Sequence, residues 1–138
     1  MSTIEIEYEY DYVSIASPEL DRLDDHDILI PFKEAIIKIT YPLTNPTEVI
    51  IKANKKEGFT KRDIVRCISK AYHKIYKEEK ESTKIKIIPG NQRKVLYNRN
   101  TTDGKYGIWG HDIGDLVLSA IITEEKDNKI YLNLQIES

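Results

Sequence analysis

The segment that most limits what this chain can fold into begins at Gly58-Phe59-Thr60. Thr60, followed three residues later by Asp63, has the spacing of a capping box. In that motif the hydroxyl accepts from the Asp63 amide while the carboxylate reaches back and meets the positive end of the helix dipole. Phe59 and Ile64 stand at the two positions of a hydrophobic staple. From there Ile64, Val65, Ile68, Ala71, Tyr72, Ile75 and Tyr76 recur at helical spacing on one stripe, and Arg62, Arg66, Ser69, Lys70, His73 and Lys77 fall roughly opposite. The pattern predicts a helix over residues 60–81 with one core face and one basic face. A stripe of this kind holds together only when something covers it.

The cover is expected from strands. Ile4, Ile6, Tyr8, Tyr10 and Tyr12 alternate with Glu5, Glu7, Glu9 and Asp11, the period of a half-buried strand. The same alternation of acids and apolar residues also suits a tail that orders only on a partner. Ser17-Pro18 to Asp27 is acidic and turn-like, a connector. Ala35, Ile37, Ile39 and Tyr41 share a face, as do Val49, Ile51 and Ala53 beyond the Pro42-Leu43-Thr44-Asn45-Pro46 break, which predicts neighbouring antiparallel strands. Pro31 places the start of the first after it, or that strand at an edge. Residues 84–88 and 94–97 are candidates for short strands around Pro89-Gly90-Asn91. Two further runs, 116–122 and 130–136, alternate on either side of the polar stretch Glu124–Asn128 and predict an antiparallel hairpin. The expectation is an α+β fold: an antiparallel sheet packed on one long amphipathic helix, ending in a β-hairpin. Residues 1–28 form an acidic N-terminal segment, strand or tail, and 29–138 a single domain. The second face of the sheet is left for the N-terminal strand or a partner.

Charge is segregated along the chain. Residues 1–28 carry nine acids against Arg22, a net of −8, whereas 52–94 carry fourteen Lys and Arg against five acids, a net of +9. This permits the acidic segment to lie over the basic face, or the basic face to meet an anionic partner. The overall net charge of −2 argues against a dedicated nucleic-acid binder. A single cysteine, Cys67, excludes an intrachain disulfide and a multi-cysteine zinc site and fits a reducing compartment. At the border of the apolar stripe it reads as a small, inert, semi-buried residue. The N-terminus lacks a basic and then apolar leader, and no apolar run spans a bilayer. A cytoplasmic protein without membrane contact is expected. His26, His73 and His111 are scattered, and Asp24-Asp25-His26-Asp27 lacks the spacing of a calcium loop, so neither metal nor cofactor is expected.

Four of the six glycines, Gly104, Gly107, Gly110 and Gly114, fall within eleven residues that also hold the only Trp, Trp109, and His111. Their spacing is neither a dinucleotide fingerprint nor a Walker loop, and Gly104-Lys-Tyr-Gly107 matches an RNA-binding GxxG loop only in its glycines. On a structural reading Asp112 and Asp115 cap a short helical turn while Trp109 anchors the loop to the core. On a functional reading Tyr106, Trp109, His111, Asp112 and Asp115 form an interaction loop, or His111 with the two carboxylates acts as a general base.

Gly58-Phe-Thr-Lys-Arg-Asp-Ile-Val-Arg66 with Tyr72 and Ile75-Tyr76, and Tyr106-Gly-Ile-Trp-Gly-His-Asp-Ile-Gly-Asp-Leu116, resemble motifs of an uncharacterised family of small proteins of large DNA viruses, plants and protists. The resemblance covers about residues 35–138. It implies a shared fold but no established activity, and it assigns no site residue. The Lys-, Ile-, Asn- and Tyr-rich usage would suit an AT-rich genome such as that of a giant virus. From the residues themselves the leading expectation is a non-enzymatic module binding a protein partner through the Gly/Trp loop and the N-terminal tyrosines Tyr8, Tyr10 and Tyr12. Nucleic-acid or polyanion binding through Arg62, Arg66, Lys70, His73 and Lys77, extended by Arg93, Lys94 and Arg99, comes second. A small enzyme at His111, Asp112 and Asp115 comes third.

Overall fold

The computed structural model describes residues 4–84 and 101–138. Among these residues the strands are β1 (Ile4–Ser14), β2 (Ile28–Ile30), β3 (Glu34–Ile39), β4 (Thr47–Lys52), β5 (Phe59–Thr60), β6 (Val117–Lys126) and β7 (Lys129–Glu137), and the α-helix is α1 (Lys61–Ser82). The strands expected over 84–88 and 94–97 lie outside the described residues, apart from Lys84, as do Arg93, Lys94 and Arg99.

The helix starts where its capping pattern places it. The Thr60 hydroxyl accepts from the Asp63 amide at 3.1 Å and the Asp63 carboxylate accepts from the Thr60 amide at 3.0 Å. Such a cap contributes about 1 kcal/mol. Phe59 and Ile64 are both fully buried, as a staple requires. The stripe from Ile64 to Ile75 joins one apolar cluster with Tyr10, Ala35, Ile37, Ile39, Ile51, Leu118, Ile121, Ile130 and Leu132 from the sheet. The fold is thus α+β, a sheet on one long helix.

Five strands run in the order β1-β6-β7-β3-β4, and β2 with β5 makes a separate two-stranded sheet. The expected antiparallel sheet is in fact mixed, because β3 pairs with β7 in parallel through Ile36–Lys38 and Tyr131–Asn133. Antiparallel ladders join the remaining neighbours. The N-terminal strand does not cover the second face of the sheet. It extends the sheet edgewise on β6, with Ile4–Glu9 opposite Glu125–Ala120. Its backbone is ordered within this chain, in place of the partner-dependent tail.

Two bulges redirect side chains that simple alternation placed elsewhere. In β6 the register slips between Leu118 and Ala120, so that Ile121 and Thr123 turn inward where strict alternation would have sent Ile122. In β1 it slips between Glu9 and Val13. Tyr12 is thrown out at φ 47° with 61% of its surface exposed, and Ile15 enters the core in its stead. The hairpin turn is also tighter than the polar stretch implied. Pairing continues to Lys126 and Lys129, and only Asp127 and Asn128 turn, both at positive φ as a two-residue I′ hairpin requires.

Candidate functional site

The last turn of α1 carries a buried carboxylate around which the Gly/Trp loop is wound. Glu79 is 1% exposed. It accepts from the Thr102 hydroxyl at 2.6 Å and from the amides of Gly104 and Tyr106 at 2.7 Å and Gly107 at 3.2 Å. Burial by itself would raise the carboxyl's pKa, but these donors outweigh it and hold the group below its ordinary value. A Cβ at Gly104 would crowd the Ser82 hydroxyl and the Glu79 carboxylate, so a larger residue there would push the acceptor from its place. The loop is then fastened to the turn after β3: the Thr44 and Asn45 amides donate to the Gly107 and Tyr106 carbonyls, and the Trp109 amide to Pro42.

This scaffold sets out an aromatic group. Ile108 and Tyr106 anchor the loop in the core. Trp109, which the structural reading placed there and the functional reading placed at a contact, is 44% exposed. It stands edge-on to Tyr41, ring centroids 5.1 Å apart, with the His111 ring 5.7 Å away. His111 Nε2 is 2.7 Å from the Tyr41 hydroxyl, which also lies 2.9 Å from the Ser138 hydroxyl. Below, Tyr72 donates to the Tyr41 carbonyl at 2.7 Å and Tyr76 to the His111 carbonyl at 2.9 Å. Burial lifts both phenols well above the ordinary tyrosine value, so they remain donors at any physiological pH.

The loop provides poor equipment for acid–base chemistry. The Asp112 amide donates to the Asp115 carboxylate at 3.0 Å across the short 3-10 turn Ile113–Asp115, so Asp115 serves as a cap. His111 Nε2 lies against the Tyr41 hydroxyl and Nδ1 is buried without a hydrogen-bond partner, so among the described residues no carboxylate is hydrogen-bonded to the ring to orient it as a base. Tyr106 is buried, and its hydroxyl donates to Glu78 at 3.0 Å.

A second polar cluster sits at the other end of α1. Lys55 donates at 3.0 Å to both Asp25 and Asp63, Arg66 donates to Asp63 at 3.1 Å, and Asp25 accepts from the Thr60 hydroxyl at 2.7 Å. Arg62 reaches the Leu23 carbonyl at 3.2 Å through Nε and Asp25 at 3.6 Å through Nη1. Of the two arrangements that the charge segregation allowed, this end shows the first: the acidic connector is strapped across the start of the basic helix. Ser69, placed by spacing on the basic face, is buried and donates to the Ile15 carbonyl at 2.7 Å, and His73 Nε2 is 2.8 Å from the Ala16 carbonyl. Lys70 and Lys77 stay exposed, together with Lys74 and Lys80.

The Thr60 hydroxyl and Lys55 hold Asp25 below its ordinary pKa. Asp63, which burial alone would raise, is brought down by the Thr60 amide and Lys55. A carboxylate depressed in the folded state lends stability that is complete above its unfolded value and lost as pH falls through the folded one. Acid denaturation is therefore expected below about pH 4. Asp25→Asn should lower the melting temperature at neutral pH, by a margin that narrows in high salt. A melt insensitive to the substitution would show that the strap carries no stability.

Of the three N-terminal tyrosines, Tyr10 is structural, buried with its hydroxyl 3.3 Å from the Lys61 carbonyl. Tyr8 is half-buried, and only Tyr12 stands in solvent. Cys67 is half-buried, and burial, aided by Asp63, pushes its thiol up and keeps the thiolate scarce. Among the described residues no helix is long and apolar enough to cross a membrane, and no group of three or more His, Cys, Asp or Glu is placed to hold a metal ion. Sequence reasoning missed Glu79, Tyr41 and Lys55. Three acids, Glu78, Glu79 and Glu81, at the end of a helix where the dipole favours bases were the available signal for the first. No family model, curated protein or solved structure matches the chain.

Proposed function

We propose that this chain is a non-enzymatic protein-interaction module whose contact residue is Trp109, flanked by Tyr41 and His111. The observation that carries this reading is a large aromatic side chain, 44% exposed, on a loop held by four hydrogen bonds to one buried carboxylate. An aromatic fixed in advance loses little conformational entropy on binding, which is the property of interface hot spots. Affinity capture from cells that make the chain tests it. Trp109→Ala should lose a defined set of co-purifying proteins that the wild type and a Lys70→Glu, Lys77→Glu variant both retain. Identical capture by Trp109→Ala would sink the proposal. Because the side chain is partly exposed, the substitution should leave the fold intact.

A second reading, polyanion binding, rests on the four lysines exposed on the outer side of α1, Lys70, Lys74, Lys77 and Lys80. Arg62 and Arg66 are less suited to it, being engaged by Asp25 and Asp63. It expects affinity for single-stranded RNA that falls steeply with salt and is weakened by Lys70→Glu with Lys77→Glu. Binding indifferent to salt, or none at low ionic strength, would remove it.

A further inference from the structure

The sheet has two edges, and they differ. The β4 edge is six residues long, follows Pro46 and mixes Glu48 with Lys52. The β1 edge is eleven residues long and carries no proline, lysine or arginine; its charges are all acidic and so keep off acidic strands, not basic ones. Its bulge falls after Glu9, so Ile4–Glu9 remains in unbroken register with β6. Among the described residues no strand pairs with its outer side. The Thr123 hydroxyl donates to the Ile6 carbonyl at 3.3 Å, which sets that carbonyl toward β6. The alternation of an antiparallel ladder then turns the main-chain groups of Glu5, Glu7 and Glu9 outward.

The two faces of this edge are chemically distinct. On one lie Glu5, Glu7 and Glu9, and none of these carboxylates makes an ion pair or hydrogen bond among the described residues. The side chains opposite offer no base, and Glu5 faces Glu124, a like-charge pair that costs stability. On the other face Ile6 is 47% exposed beside the half-buried Tyr8. A second copy of β1 would place acids against acids, so the edge repels its own kind.

We propose that the β1 edge of this chain binds an extended peptide strand with lysine or arginine at alternate positions and apolar residues between them. Main-chain hydrogen bonds to Glu5, Glu7 and Glu9 supply the register. The basic side chains neutralise the three carboxylates and Glu124, and the intervening apolar side chains cover Ile6 and Tyr8. Strand addition of this kind draws affinity from the backbone and specificity from the alternate side chains. The surface is separate from Trp109, so it goes beyond the function proposed above and stands or falls without it.

The test uses the isotope-labelled full chain and a capped octapeptide of alternating lysine and valine, followed by amide hydrogen exchange. Slowed exchange at Glu5, Glu7 and Glu9, with binding that weakens as salt is raised, is the expected result. Glu7→Gln with Glu9→Gln should weaken binding about tenfold. An equally charged peptide with every backbone amide N-methylated should not bind in either strand direction, which tests strand pairing on the unaltered protein. Trp109→Ala should leave binding unchanged. No change at those three amides, or equal affinity for the N-methylated peptide, overturns the proposal.

Discussion

Glu79→Ala is expected to cost about 3–5 kcal/mol, because it strands three buried amides and a hydroxyl that have one carboxylate as their common acceptor. For a chain of this size the melting temperature should fall by roughly 10–20 °C. Glu79→Gln should also destabilise, though less. Oε2 accepts from Thr102 and Gly104 and Oε1 from Tyr106 and Gly107, so an amide nitrogen at either position would face donors. Both variants remove one of the depressed carboxyls, and their stability should vary less with pH through the acid range. Trp109, the only tryptophan, reports locally. Its emission should shift and become easier to quench at temperatures where far-UV circular dichroism still shows the helix. A melt and an emission spectrum matching the wild type would mean that the loop is held by something else.

Gly58→Ala is the second large effect. Gly58 sits at φ +135°, a region that side chains essentially never adopt, and a Cβ there would run into the Ile30 carbonyl oxygen with Pro31 and Phe32 close behind. All three neighbours are backbone atoms, so nothing can swing aside. The β2–β5 pairing, Ile28 with Thr60 and Ile30 with Phe59, would have to open, and with it the staple and the cap of α1. A loss of about 3 kcal/mol or more is expected. Gly114→Ala, with open space around its Cβ, is the control and should be nearly neutral. Equal stability of the two variants in urea unfolding would refute the clash.

How much of this was legible in the sequence depended on the range of each interaction. Thr60, Asp63, Phe59 and Ile64 act within one turn, and the chain wrote them within six residues, so the helix and its start were readable. Strand existence followed from alternation for β1, β3, β4, β6 and β7. Which strands neighbour which did not, since the parallel contact of β3 with β7 joins residues nearly a hundred positions apart. The bulges were hidden for a related reason: a slip such as that at Leu118–Ala120 answers a need of the neighbouring strand, and the pattern Leu-Ser-Ala-Ile carries no mark of it. At the candidate site, glycine density and the lone Trp pointed to the loop on which the proposed contact sits. Of the two readings of Trp109 only the core anchor failed, because hydrophobicity alone does not say that Ile108 and Tyr106 take the inward positions. Glu79 looked like any acid on a helix surface until the loop closed over it.

The position of β7 bears on how the chain acquires this structure as it is synthesised. Of the five strands of its sheet it is made last, yet it occupies the middle, with β6 on one side and β3 on the other. The β3–β4 pair and α1 emerge first and must wait with the apolar stripe only partly covered. Strand β1 waits longer still, since its partner β6 is made more than a hundred residues later. Until Ile130 and Leu132 arrive, the nascent chain holds two half-sheets with nothing between them. A pause or truncation before β6 leaves a long, acidic and unpaired β1, whose carboxylates would then keep neighbouring nascent chains apart.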